Sequence, residues 1–247
     1  MSDSSPLAVA HRGFPWAAPE NTLISYQLAM QAGASVAECD VHLSADGVPV
    51  IIHDQNLERT TGVQRNVGEL TVRELKKLDA GSWKDNKFAG EPIPTLVEAL
   101  EFVKGKMRFI IEVKARGMET PVLEAIQSVG VEHEELMVIS FDYDTVKNVA
   151  QTKKRLPTAF LIEELGIEEH DRQAFIQKAL HAKTSGVGLS KDHVDVEFVE
   201  LAHNKGLDVF VYTANELDDM RHLLRIGVDG IISDRVDLLL GVLRERT

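Results

Sequence analysis

The sequence predicts an α/β fold, a (β/α)8 TIM barrel, and three observations carry that expectation. Short apolar runs alternate with longer segments of helical periodicity from end to end. Eight such pairs can be drawn, the number a closed barrel needs. The length of 247 residues also suits one barrel, typically about 250 residues. An open doubly wound sheet is the structural rival, because it uses the same βαβ unit.

The expected strands are Leu7–Ala10, Ser35–Val41, Arg108–Val113, Leu136–Ser140, Thr158–Leu161, Gly186–Leu189, Asp208–Tyr212 and Gly230–Ser233. Most are short, mainly aliphatic runs, the pattern of strands buried on both faces. The expected helices are Thr22–Gln31, Thr95–Lys104, Glu119–Val129, Tyr143–Thr152, Asp171–Ala182, Val196–Lys205, Leu217–Ile226 and Val236–Arg244. Asn21 is expected to cap the first helix, and Gly206 and Gly227 stand where a glycine ends one. No linker or repeat divides the chain, so residues 1–247 read as one domain. The irregular stretch 55–94 interrupts the alternation. It follows a turn at Asp46-Gly47 and the apolar run Val48–Ile52, then holds a short helical piece, Val72–Leu78, with Trp83 and Phe88. A segment that long in a barrel is expected to be a functional insertion over the carboxyl-end face.

Composition narrows the function. With 44% hydrophobic and 27% charged residues the chain can bury a large core, and a net charge of −12 argues against nucleic acid and anionic membranes. No apolar stretch approaches the roughly 20 residues needed to span a bilayer. The start, Met1-Ser2-Asp3-Ser4-Ser5-Pro6, lacks the basic and apolar regions of a signal peptide, and Cys39 is the only cysteine. A cytoplasmic location is the expectation. Cys39 should point away from its neighbours Glu38 and Asp40 and serve as a small core residue. Oligomeric state is open.

The chemistry-bearing residues gather at strand ends. They are His11-Arg12-Gly13, Glu38-Cys39-Asp40, His53-Asp54 and Glu112-Val113-Lys114. Residues i and i+2 of a strand share a face, so Glu38 aims with Asp40 and Glu112 with Lys114. Ionised carboxylates in apolar surroundings need partners. One reading pairs them with Arg12 and Lys114. The other gives Glu38, Asp40 and Glu112 a shared divalent cation, Mg2+ or Ca2+, which prefer oxygen ligands. His11 and His53 each end an apolar run, and general acid and base roles suit them. Arg12 and Lys114 form a candidate phosphate clamp. Ser233-Asp234-Arg235 is a lesser phosphate candidate, since Ser233-Asp234 could also cap the last helix. Tyr212 reads as a substrate wall or a core ring.

Together these residues resemble the glycerophosphodiester phosphodiesterase family, in its bacterial cytosolic type. The motifs are His11-Arg12-Gly13, Pro19-Glu20-Asn21-Thr22, Glu38-x-Asp40-Val41, Asp46-Gly47-x-Pro49-Val50, His53-Asp54, Arg59-Thr60-Thr61-Gly62, Gly90-Glu91-x-Ile93-Pro94-Thr95-Leu96, Glu112-x-Lys114 and Asp229-Gly230-Ile231-Ile232-Ser233-Asp234. The resemblance implies a barrel with a small insertion after the second strand. It implies one divalent cation on Glu38, Asp40 and Glu112, acid–base histidines His11 and His53, and phosphate contacts from Arg12 and Lys114. Glu20 and Asn21 match positions that support the site. The implied reaction is hydrolysis of a glycerophosphodiester to an alcohol and sn-glycerol 3-phosphate. Tyr212-Thr213-Ala214-Asn215 departs from the family's usual Trp-Thr-Val-Asn, which bears on glycerol packing. The rivals are a sphingomyelinase D-like lyase, a metal-dependent barrel aldolase or isomerase, and a non-catalytic binding barrel.

Overall fold

The computed structural model describes residues 6–152, 156–166 and 168–245. The expectation about the amino-terminal Met1–Ser5 therefore falls outside the described residues. Among the described residues, nine strands form one sheet: β1 Leu7–Ala10, β2 Val36–Leu43, β3 Pro49–Ile51, β4 Arg108–Val113, β5 Leu136–Ser140, β6 Thr158–Ile162, β7 Gly186–Ser190, β8 Asp208–Tyr212 and β9 Gly230–Ser233. Eight are parallel, and β1 pairs with both β2 and β9, which closes the barrel. The short β3 instead runs antiparallel on β2. No helix among the described residues is long and apolar enough to cross a membrane.

Helix boundaries follow local chemistry. Thr95 and Glu98 form a reciprocal capping box, Asp142 and Asp195 accept the N–H groups three residues on, and Gly227 ends its helix with φ +86. The first helix corrects an expectation. Its cap is Thr22, whose hydroxyl accepts from the Ser25 N–H, while Asn21 holds φ +58 and turns inward.

Apolar burial falls into three layers. Side chains inside the barrel, including Val9, Val36, Ile110, Ile139, Leu161 and Phe210, form a cluster of their own. Glycines make room for the larger of them: a Cβ on Gly230 would lie 2.5 Å from the Phe210 ring, and one on Gly188 2.4 Å from Leu161. The outer strand faces pack against the helices in the largest cluster, where Cys39 sits fully buried as expected. A third cluster joins Val50 and Ile52 to Leu57, Val67, Leu70, Leu75 and Ile93 from the irregular segment. Fully burying an aliphatic side chain contributes roughly 1.5–3 kcal/mol, so this segment carries its own anchor.

Candidate active site

The barrel register explains why distant carboxylates meet. Asp40 lies directly across from Glu112 in the β2–β4 pair, and Glu38 precedes Asp40 on the same inward face. One oxygen from each of Glu38, Asp40 and Glu112 lies within 4.8 Å of the others, and all three residues are buried. The β1–β2 register continues to His11, whose Nε2 stands 4.0 Å from Glu38 Oε2. His53 arrives by another route. The hairpin through Gly47 returns β3 along β2, and the Ile52 N–H donates to the Asp40 carbonyl at 2.9 Å.

Two cations reach the carboxylates. Lys114 Nζ lies 2.7 Å from Glu112 Oε1 and 2.9 Å from Asp40 Oδ1, and Arg12 Nε lies 3.1 Å from Asp40 Oδ2. Arg12 adopts φ +51, a left-handed conformation costly for a side-chain-bearing residue, and its backbone N–H donates to Glu38 Oε2 at 3.0 Å. Asn21 donates from Nδ2 to Asp40 Oδ2 at 2.7 Å and accepts from the Tyr26 hydroxyl at 3.2 Å. Glu38 fares worst. Its side chain is buried, and Oε1 has no hydrogen-bond partner among the described residues.

The electrostatics reflect that imbalance. Burial pushes Asp40 up, but Lys114 and Arg12 outweigh it and hold the carboxyl well below the usual range. Glu38 is driven well above its usual value, first by burial, then by Asp40 and Glu112. Glu112 is raised by burial and Asp40, against Lys114. Three buried acids against two cations, one of them shared with Glu20, leave negative charge uncompensated. An orphaned oxygen in an all-oxygen donor set fits a hard divalent cation, which would remove Glu38's need for a proton.

Each histidine is backed by an aspartate. His11 Nδ1 lies 2.6 Å from Asp234 Oδ1, and Asn215 donates to Asp234 Oδ2 at 2.8 Å. His53 Nδ1 lies 2.6 Å from Asp54 Oδ1. Arg59 then links outward: Nε donates to Asp54 Oδ2 at 2.6 Å, while its terminal nitrogens donate to both oxygens of Glu20 at 2.9 and 2.7 Å. Glu20 accepts in turn from Arg12 at 2.9 Å. Burial lowers the His53 pKa below 6.5, partly opposed by the field of Asp40. His42 serves structurally, with Nε2 2.9 Å from the His53 carbonyl.

None of Asp54, Arg59, Asn215 and Asp234 was expected in the hydrogen-bond chains behind the two histidines. Asp54 and Arg59 stood inside quoted motifs, and their signal was adjacency to His53. Asp234 was expected either in a lesser phosphate site or as a cap for the last helix. Instead it faces His11, and Arg235 at the cap position has no side-chain cap bond. Tyr212 lies at the mouth and joins the interior cluster, its hydroxyl donating to the Ile162 carbonyl at 2.6 Å.

Residues 11–238 match the model of the Glycerophosphoryl diester phosphodiesterase family. The chain belongs to that family. It is thereby a phosphodiester hydrolase, as its motifs implied. Among its relatives, the glycerophosphodiester phosphodiesterase of Caldanaerobacter subterraneus subsp. tengcongensis is 32% identical, covering 97% of this chain and 98% of that one. A Bacillus subtilis glycerophosphodiester phosphodiesterase is 31% identical over 96% of this chain and 86% of its own. Among solved structures, an Oleispira antarctica phosphodiesterase in complex with the product sn-glycerol-3-phosphate superposes with a TM-score of 0.88. It is 30% identical and covers 97% of each chain. A protein from Silicibacter pomeroyi, described as a putative glycerophosphoryl diester phosphodiesterase, also reaches 0.88 at 27% identity, over 99% of this chain and 95% of that one.

Proposed function

We propose that this chain hydrolyses glycerophosphodiesters, such as glycerophosphocholine or glycerophosphoethanolamine, to an alcohol and sn-glycerol 3-phosphate in the cytoplasm. The observation that carries the reading is the buried acidic triad with its orphaned Glu38 oxygen, flanked by two aspartate-backed histidines. The product held by the Oleispira phosphodiesterase supports the same product here.

Glu38, Asp40 and Glu112 would hold one divalent cation, Mg2+ or Ca2+, which supplies Lewis-acid polarisation and neutralises developing charge. Arg12 and Lys114 bind the phosphoryl oxygens, with Glu20 and Asn21 keeping Arg12 and Asp40 in place. One of His11 and His53 takes the proton of the glycerol 2-hydroxyl. The 2-oxygen attacks phosphorus, the bond to the alcohol oxygen breaks, and the other histidine protonates that oxygen. Water then opens the cyclic glycerol phosphate with the histidine roles exchanged. Asp54 and Asp234 keep each imidazole oriented. The 55–94 segment covers the carboxyl-end face and delivers Arg59 to Glu20.

The test is turnover of glycerophosphocholine, following sn-glycerol 3-phosphate release with and without chelator. Release that stops on chelation and returns with Mg2+ or Ca2+ is expected, and a substrate lacking the 2-hydroxyl should be inert. Chelator-insensitive turnover would overturn the metal assignment, and ready hydrolysis of the deoxy substrate would overturn attack by the 2-oxygen.

A further inference from the structure

The loop that carries His11 and Arg12 bends through two left-handed residues in succession, Arg12 at φ +51 and Gly13 at φ +90. Glycine accepts that conformation freely, whereas arginine adopts it at a cost that neighbouring groups must offset. One side chain bridges the bend. Ser25, fully buried on the first helix, Leu23–Ala32, accepts the Phe14 N–H at 2.7 Å. Its hydroxyl donates to the Arg12 carbonyl at 3.1 Å. A Cβ on Gly13 would lie 2.4 Å from Ser25 Oγ and 2.7 Å from its Cβ, so the serine fills the space that the glycine leaves.

The bend matters because of what Arg12 touches. Its backbone N–H donates to Glu38 Oε2 at 3.0 Å. Its guanidinium lies 3.1 Å from Asp40 Oδ2 and 2.9 Å from Glu20 Oε1. Main chain and side chain of one residue thus meet two members of the acidic triad, and a relaxed φ would turn the N–H away from Glu38. His11 does not depend on the bend in this way. Its N–H donates to the Ser233 carbonyl at 3.1 Å, and Asp234 holds its ring.

Building on the phosphodiesterase reading, we infer that Ser25 is a positioning residue for the phosphate clamp. Its hydroxyl holds the left-handed Arg12 turn and thereby sets affinity for the substrate's phosphate without touching substrate. Removing that hydroxyl takes the acceptor from a buried N–H and a donor from the Arg12 carbonyl, and the turn loses what offsets its strain.

The experiment measures KM and kcat for glycerophosphocholine, and the Kd of sn-glycerol 3-phosphate by calorimetry. Wild-type protein, Ser25→Ala, Arg12→Gln and the double variant form a cycle. Ser25→Ala should raise KM and the product Kd about tenfold and lower kcat less than about threefold, because both histidines keep their own anchors. On the Arg12→Gln background the same change should raise KM less than about twofold, since the serine acts through the guanidinium. An equal rise on both backgrounds, or a loss confined to kcat, overturns the assignment. Should the alanine variant not fold, Ser25→Cys, a weaker donor and acceptor of similar shape, takes its place in the cycle. Should the native protein hydrolyse no glycerophosphodiester, the functional reading fails, and the NMR HN–Hα coupling of Arg12, which reports its φ, judges the turn alone. A coupling that leaves its left-handed value in the Ser25 variant supports the clamp, and an unchanged one overturns it.

Discussion

His11 and His53 are held by the same bond and by opposite architectures. Both place Nδ1 2.6 Å from an aspartate oxygen. Asp234 reaches His11 across the seam where β9 closes on β1, from a strand end more than two hundred residues away in sequence. Asp54 is the immediate neighbour of His53, and its second anchor, Arg59, comes from the irregular segment and is more than a third exposed. One histidine is thus fixed by barrel closure, the other by a surface relay that runs on to Glu20 and Arg12. Mutations in the irregular segment should therefore disturb His53 and Arg12 together, and leave His11 alone.

The harshest break is removal of either imidazole. His11→Ala and His53→Ala should each lower kcat about 10³-fold, and the double variant should lose little more, because the two act as one unit. Additive losses in steady-state kinetics would contradict a paired role.

The aspartates sharpen the comparison. Asp234→Asn and Asp54→Asn should each cost about 10²-fold in kcat by loosening tautomer and orientation. Only Asp54→Asn should also raise KM, because Arg59 then loses one of its two acidic partners and Glu20 its geometry. Equal KM effects would dissolve the distinction between frame and relay.

Smaller still is Arg59→Gln, expected to cost about tenfold in kcat/KM, with a pH signature whose sign is fixed. Burial lowers the His53 pKa, so its neutral form persists below pH 6.5 and the limb of kcat/KM that reports His53 falls there. Removing the Arg59 cation leaves the Asp54 charge less compensated, favours the imidazolium, and moves the limb upward. Asp54→Asn removes the anion and moves it downward. Shifts in the same direction would refute the relay.

The fold was legible because strands buried on both faces read as short apolar runs, and five of the eight barrel strands match their expected limits. The acidic triad was legible in part. The i, i+2 spacing placed Glu38 with Asp40, but only the β2–β4 register places Glu112 opposite Asp40. His53–Asp54 could be read from adjacency, whereas Asp234 lies 223 residues from His11 and meets it only through closure. The Asn21-Thr22 pair misled for a local reason: both residue types cap helices, and tertiary demand from Asp40 took Asn21 away.

The account turns on whether the surplus charge in the barrel mouth is answered by an ion. Calorimetric titration of chelator-stripped protein with Mg2+ and Ca2+ measures this without turnover. One site per chain is predicted, abolished in Asp40→Asn and Glu38→Gln variants that keep their circular dichroism. No saturable binding in the native protein, or undiminished affinity in both variants, would contradict it.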